Sequence, residues 1–153
     1  RTGNTEKMAA EVARGVREEN LTVRVKTVEE VEVEELLNYQ GIIIGSPTYY
    51  GTMAGEVKSF LDSSVRLHGR LEGTVGAAFA SAGNLGGGHE TTVLSIIEAL
   101  LIHGMIIQGS HQGGHYGAAS IGSPDERAET ESYHLGRKTA QLVKILFEDE
   151  VEV

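Results

Sequence analysis

Four stretches of this 153-residue chain gather residue types that can do chemistry. The first, Thr2-Gly3-Asn4-Thr5, runs straight into a helical pattern. Hydroxyls, a glycine and free backbone N–H groups at the positive end of a helix can cradle a phosphate. The same residues also make an ordinary helix N-cap, so both readings stay open here. The second stretch is Gly45-Ser46-Pro47-Thr48-Tyr49-Tyr50-Gly51-Thr52-Met53. Adjacent tyrosines cannot both face a core. This loop therefore offers either a flat stacking surface beside a close backbone approach, or a turn with surface tyrosines. The third, Ser81-Ala82-Gly83-Asn84-Leu85-Gly86-Gly87-Gly88-His89-Glu90, has four glycines within six positions. A flexible linker would tolerate their entropy; between an apolar strand-like run and an apolar helix, they read instead as a loop that closes on a ligand. The fourth, Gly109 to Gly122, holds His111, Gly113, Gly114, His115, Tyr116 and Gly117.

Other chemistries lack their residues. The His111/His115 cluster has no nearby carboxylate in sequence to complete a zinc set, so no metal is expected. The Gly45-Ser46-Pro47 turn departs from the G-x-S-x-G elbow, and no GxxxxGK[ST] loop is present. His68 and His134 read as solvated, and His103 as a cation near a helix C-terminus. The chain has no cysteine, which excludes disulfides, thiolate catalysis and iron–sulfur clusters. Thirteen Lys and Arg against 22 Asp and Glu give a net charge of −9. That balance disfavours nucleic acid and anionic membrane surfaces and suits basic partners. No run reaches the roughly 18 apolar residues of a membrane span; the longest, Val93 to Ile107, is broken by Glu98 and His103. The opening residues show no apolar signal segment, so a cytoplasmic location is expected.

The elements that must position these loops follow from periodicity. Met8, Val12 and Val16 predict a helix over residues 5–19, and the alternation from Leu21 to Val28 predicts a strand. Glu29 to Tyr39 reads as a short helix and turn. Gly41-Ile42-Ile43-Ile44, Thr74 to Ala80 and Met105 to Gln108 read as short buried strands. Val57, Phe60 and Leu61 mark one helix, and Val93, Ile96, Ile97, Leu100 and Leu101 another. Asp125 to Phe147 is the last helix, with Ala128, Leu135, Leu142 and Leu146 spaced for one face. Such alternation in a chain of this length predicts a single α/β domain, a parallel sheet with right-handed crossovers. Ligands of such sheets bind beyond the carboxyl ends of the strands.

Taken in order and spacing, these loops resemble the flavodoxin-like family. Thr2-Gly3-Asn4-Thr5 is similar to the end of that family's FMN phosphate loop. Pro47 to Met53, Ser81 to Glu90 and Tyr116-Gly117-Ala118 resemble the branch of NAD(P)H:quinone oxidoreductases first named as tryptophan-repressor-binding proteins. The resemblance covers nearly the whole chain. It implies a three-layer sandwich with a parallel sheet of order 2-1-3-4-5, whose central first strand would precede Arg1. It also implies FMN, with its phosphate at Arg1, Thr2, Gly3, Asn4 and Thr5. The ring would lie between Pro47-Thr48-Tyr49-Tyr50-Gly51-Thr52-Met53 and Ser81-Ala82-Gly83-Asn84-Leu85-Gly86-Gly87. His115, Tyr116 and His103 would be polar neighbours of the flavin with catalytic roles. The chain departs from the branch at Ile102, where the branch has a histidine. It departs also near His68, in place of an aromatic that covers the ring, and in shortened insertions before Gly41 and after Ser110.

The resemblance implies an enzyme that passes electrons from NAD(P)H to a quinone or similar acceptor, and a homo-oligomer with flavin sites near an interface. Two alternatives stand beside it. One is a flavodoxin-type electron carrier that docks to a redox partner protein through its acidic surface and has no NAD(P)H activity of its own. The other is a flavodoxin-like interaction module without flavin.

Overall fold

Met8, Val12 and Val16 line the buried face of a first helix, α1 (Asn4–Glu18), in the computed structural model, which describes residues 2–147. Arg1, expected in the phosphate loop, lies outside the described residues. After α1 come β1 (Gly41–Tyr49), β2 (Thr52–Met53), α2 (Gly55–Ser63), β3 (Val75–Ala82), α3 (His89–Ile102), β4 (Ile106–Ile107), β5 (Ala118–Ile121) and α4 (Glu126–Phe147). Short 3-10 turns occupy Val33–Asn38 and Ser64–Leu67.

The strands expected at Ile42, Val75 and Ile106 are parallel, as the alternation with helices requires. β1 pairs with β3 from Gly41↔Val75 to Pro47↔Ser81. On the other edge of β3, Ile106 and Ile107 pair with Val75 and Gly76, and Ala118 to Ile121 pair with Phe79 to Ala82. β4 and β5 are thus two pieces of one strand position, interrupted by residues 108–117. β2 folds back antiparallel on the end of β1 through Thr48↔Met53 and Tyr49↔Thr52.

Side chains of β3 alternate between two buried faces, and all eight of its residues are buried. Phe79 points to Met8, Val12 and Ala118, under α1 and α4. Ala78 and Ala80 join Ile42, Ile44, Val57, Leu61, Val93 and Ile96, under α2 and α3. Helices on both faces give the three layers of an α/β sandwich.

Four expectations need correction. Leu21 to Val28 forms no strand: a strand exists through its ladder, and this segment finds no partner among the described residues. The described sheet is accordingly the 3-4-5 side of the expected 2-1-3-4-5 order, extended by the β2 hairpin. Met105 to Gln108 contracts to two residues at a sheet edge, where Ile106 is 39% exposed rather than buried. β5 was not anticipated, because Ala118-Ala119-Ser120 carries little β-branched or aromatic signal. The buried face of α4 is not the leucine stripe but Ala128, Ser132, Gly136, Thr139 and Ala140. The reason is the crossing with α1: a Cβ on Gly136 would sit 1.9 Å from the Val12 carbonyl oxygen, and one on Gly15 2.0 Å from that of Tyr133. Two backbones this close leave room only for small residues.

Candidate functional site

Three loops converge beyond the carboxyl ends of β1 and β3. The first turns into α1 at Gly3, whose φ of +74° is left-handed and which carries no side-chain cap; the Gly3 carbonyl accepts from Lys7 N–H at 3.0 Å. Among the described residues no side-chain cap hydrogen bond serves the N-terminal amides of α1, which leaves Thr2-Gly3-Asn4-Thr5 open to a phosphate. Thr5 Oγ1 lies 2.9 Å from Ser81 Oγ, which ties the first loop to the end of β3.

The second stretch is a β-hairpin rather than an irregular loop. β1 runs through Pro47 and Thr48 to Tyr49, turns at Tyr50-Gly51, and returns through Thr52 and Met53. Both turn residues have positive φ, +49° at Tyr50 and +84° at Gly51, as a two-residue type I′ turn requires. Asn or Gly normally fills the first position; here a tyrosine does, and its ring is fully exposed. Buried Ser46 accepts the Ala54 N–H at 2.9 Å and donates to the Pro47 carbonyl at 2.7 Å, holding the hairpin base to the start of α2.

In the third stretch, Ser81 and Ala82 end β3 and are buried, whereas Gly83, Asn84, Leu85, Gly86 and Gly87 are exposed. A turn closes where Gly87 N–H donates to the Asn84 carbonyl at 3.0 Å. Gly88 then caps α3 at φ +101° and lies against the hairpin tip, where a Cβ on it would come within 2.7 Å of Gly51 Cα. Only a residue without a side chain admits that approach.

A flavin mononucleotide fits this arrangement. Uncapped helix amides and the Asn4 and Thr5 side chains suit a phosphate, with no lysine required. An outward tyrosine supplies an aromatic face. Gly51, Gly83 and Gly86 would each meet open space within 4 Å of a Cβ, so backbone at the rim of the cluster is free for a ring edge.

Of these stretches His115 and Tyr116 meet only the end of the third, at His89 and Glu90. They lie in the 108–117 excursion, both exposed, where His115 Nδ1 donates to the Ser110 carbonyl at 2.7 Å. With His89, Glu90, Arg127 and Glu131 they line a separate cavity of about 150 Å³ at the outer edge of β5. It abuts the glycine-rich loop only through the first turn of α3. The sequence distance hid Glu131, whose carboxylate lies beside Gly113 and Gly114 and is paired with Arg127 at 2.8 Å.

His103 is farther still, at the opposite end of the 14-residue α3, about 20 Å away at 1.5 Å per residue. It is 8% exposed, so it is neither a neighbour of the three loops nor a solvated capping cation. Its Nε2 lies 2.7 Å from Ser64 Oγ, which itself donates to the Leu61 carbonyl at 2.6 Å. With the serine proton so engaged, Nε2 must be the donor, and the buried Nδ1 is left bare and unpartnered. Burial, and then the field of His68, holds its pKa below the ordinary value of 6.5. The imidazole is thus a neutral tie between the ends of α2 and α3.

Sequence reasoning missed Thr91, Thr92 and Ser95, which join α3 to the hairpin. Their signal was available: hydroxyls in the first turns of a helix that follows a glycine-rich loop.

Comparison with known proteins adds independent findings. The sequence profile of the NADPH-dependent FMN reductase family matches residues 32–114. An NAD(P)H dehydrogenase (quinone) of Archaeoglobus fulgidus is 39% identical over 179 residues, covering 95% of this chain and 94% of the relative. A flavodoxin of Aquifex aeolicus is 38% identical over 162 residues, covering 100% of this chain and 88% of that protein. Among solved structures, a flavodoxin from the domain Archaea superposes with a TM-score of 0.78 at 28% identity, over 94% of this chain and 93% of its own. A WrbA-like flavodoxin of Agrobacterium tumefaciens also reaches 0.78, at 22% identity, over 94% and 92% of the two chains.

Proposed function

The chain belongs to the family of NADPH-dependent FMN reductases, and from that premise we propose an FMN-binding flavoprotein that passes electrons from NAD(P)H to a quinone or similar acceptor. The observation that carries this reading is the convergence of an uncapped α1 N-terminus, an outward Tyr50 and a glycine-rich loop at one edge of a parallel sheet, linked through Thr5 and Ser81. Thr2 to Thr5 would hold the phosphate by backbone N–H groups and hydroxyls. Thr48 to Met53 and Ser81 to Gly87 would hold the ring and limit the access of water to it. When bound, FMN supplies a ring that takes up and gives back two electrons, and backbone N–H groups at its edge tune its potential.

His115 and Tyr116 serve the acceptor rather than the ring, through the cavity they share with His89 and Arg127. The Ser110 carbonyl accepts from His115 Nδ1 and so fixes the orientation of the imidazole ring. No described helix is long and apolar enough to cross a membrane. A cytoplasmic homo-oligomer is what the resemblance implies.

The test is an absorbance spectrum with and without added FMN, followed by NADH or NADPH and a quinone. Sustained quinone-dependent NAD(P)H oxidation supports the enzyme, and a protein left colourless by FMN refutes it. A second reading, an electron carrier, is favoured by one feature: an open groove beside Tyr49 whose charged lining, Glu29, Glu32 and Glu56 against Arg66, is acidic on balance and suited to a basic partner. FMN binding without NAD(P)H oxidation, together with reduction by a separate reductase, selects it. Sedimentation at micromolar concentration decides the oligomer.

A further inference from the structure

Thr91, Thr92 and Ser95 stand on the side of α3 that faces the β1–β2 hairpin. Thr92 Oγ1 lies 2.8 Å from the Gly88 carbonyl oxygen and 3.0 Å from Thr48 Oγ1. A carbonyl only accepts, so Thr92 gives its one hydroxyl proton to Gly88, and Thr48 must donate to Thr92. The same logic orders the next contact. Ser95 Oγ donates to the Thr92 carbonyl at 2.9 Å, so Thr52 Oγ1, 3.2 Å away, donates to Ser95. Two directed chains therefore run from the hairpin to α3. Between them Thr91 Oγ1 lies 2.7 Å from the Gly51 carbonyl oxygen and 2.9 Å from that of Gly88, its proton bridging the two loops.

These contacts meet where the loops are tightest, with Gly88 against Gly51. Thr92 is fully buried, and a hydrogen-bond chain out of water is stronger and dearer to break. We propose that Thr91, Thr92 and Ser95 are positioning residues that set the gap between the hairpin carrying Tyr50 and the glycine-rich loop, and thereby the affinity for the isoalloxazine ring. The proposal rests on the reading of these loops as the flavin site. The gap matters because a ring held about 0.5–1 Å too loosely forfeits a quarter to a half of its dispersion attraction. No hydroxyl of the three need touch the flavin.

The experiment compares wild type with Thr92→Val, which keeps shape but loses the hydroxyl, Thr92→Ser, which restores it, and Thr91→Val at an exposed site. Two quantities are read: the FMN dissociation constant by flavin fluorescence, and hydrogen exchange of the amides of Tyr49 to Met53 in the apoprotein. Thr92→Val is expected to bind FMN about fivefold more weakly, the factor of roughly one net hydrogen bond, and to exchange its hairpin amides faster. Thr92→Ser is expected to restore both, and Thr91→Val to shift both in the direction of Thr92→Val. If Thr92→Val fails to fold, Thr91→Val decides. Hairpin exchange unchanged in the folded variants, or a serine variant that behaves like valine, overturns the clamp. FMN affinity unchanged despite a loosened hairpin overturns its link to the ring. Should wild type itself bind no FMN, the functional reading fails, and hairpin exchange alone still decides whether the clamp exists.

Discussion

Replacing Tyr50 with asparagine should stabilise the empty protein and weaken its hold on FMN. Tyr50 occupies the first turn position of a type I′ hairpin at φ +49°, and its side chain is fully exposed. Left-handed backbone costs an ordinary L-residue about 1–2 kcal/mol, a penalty asparagine largely escapes by bonding locally. An exposed ring has no native contacts to lose, so the gain should survive as about 1 kcal/mol. For a chain of this size that raises the thermal midpoint of the apoprotein by about 2–4 °C. On the binding side, the variant forfeits an aromatic contact worth roughly 0.5–1.5 kcal/mol, which weakens FMN between about twofold and tenfold. Scanning fluorimetry of apoprotein and a flavin-fluorescence titration read the two effects separately, with Tyr50→Phe as a control that should move neither. An apoprotein midpoint that does not rise would refute the strain argument. Unchanged FMN affinity would remove Tyr50 from the ring site.

Three further outcomes follow from the geometry. Gly87→Val places a Cβ 2.8 Å from the Asn84 carbonyl oxygen in an exposed loop, so FMN affinity should fall much further than the urea midpoint; equal losses in both would point to a folding defect instead. Gly136→Ala drives a methyl into the Val12 carbonyl at the α1–α4 crossing, an overpacking expected to lower stability by about 1–3 kcal/mol in urea, and a neutral result would mean that the helices do not cross so closely. Because the His103 pKa is lowered in the folded state by burial and by His68, the folded protein binds fewer protons than the unfolded chain just below 6.5. Its stabilising effect is complete above that value and is lost as pH falls toward the lower folded pKa, by up to about tenfold in the unfolding constant per pH unit. His103→Gln, which can still donate to Ser64, should flatten that dependence, and an unaltered slope would assign it to another group.

The elements most legible in the sequence were those whose pattern and packing agree. The apolar face of α1, that of α3 apart from the exposed Leu101, and the parallel strands at Ile42 and Val75 were read correctly because their periodic apolar residues pack into the core. Legibility failed where burial is achieved by small residues or depends on a partner. Ala118 to Ile121 carries almost no strand propensity, yet it is held by the edge of β3. The buried face of α4 is invisible to any search for leucine, because backbone-to-backbone contact at Gly15 and Gly136 selects against large side chains. Leu21 to Val28 has a strand's alternation and no ladder among the described residues.

The candidate site shows the same division. Its glycines and tyrosines were conspicuous by type, whereas Thr91, Thr92 and Ser95 look like ordinary helix residues until the hairpin is folded against them. His103 illustrates the converse. A histidine at a helix end suggested a charged cap; burial, and then His68, disfavours the charge, and the serine hydroxyl across from it makes the ring a tie between two helix ends. The residues that break local rules without compensation inside the protein are the informative ones. Tyr50 holds a left-handed conformation that a tyrosine does not favour and makes no burial in return. The α1 amides find no side-chain cap among the described residues, at a helix start where a side-chain oxygen would ordinarily serve. Both lie on the same edge of the sheet, and one ligand with an aromatic ring at one end and a phosphate at the other would give Tyr50 the burial it lacks and the α1 amides an acceptor.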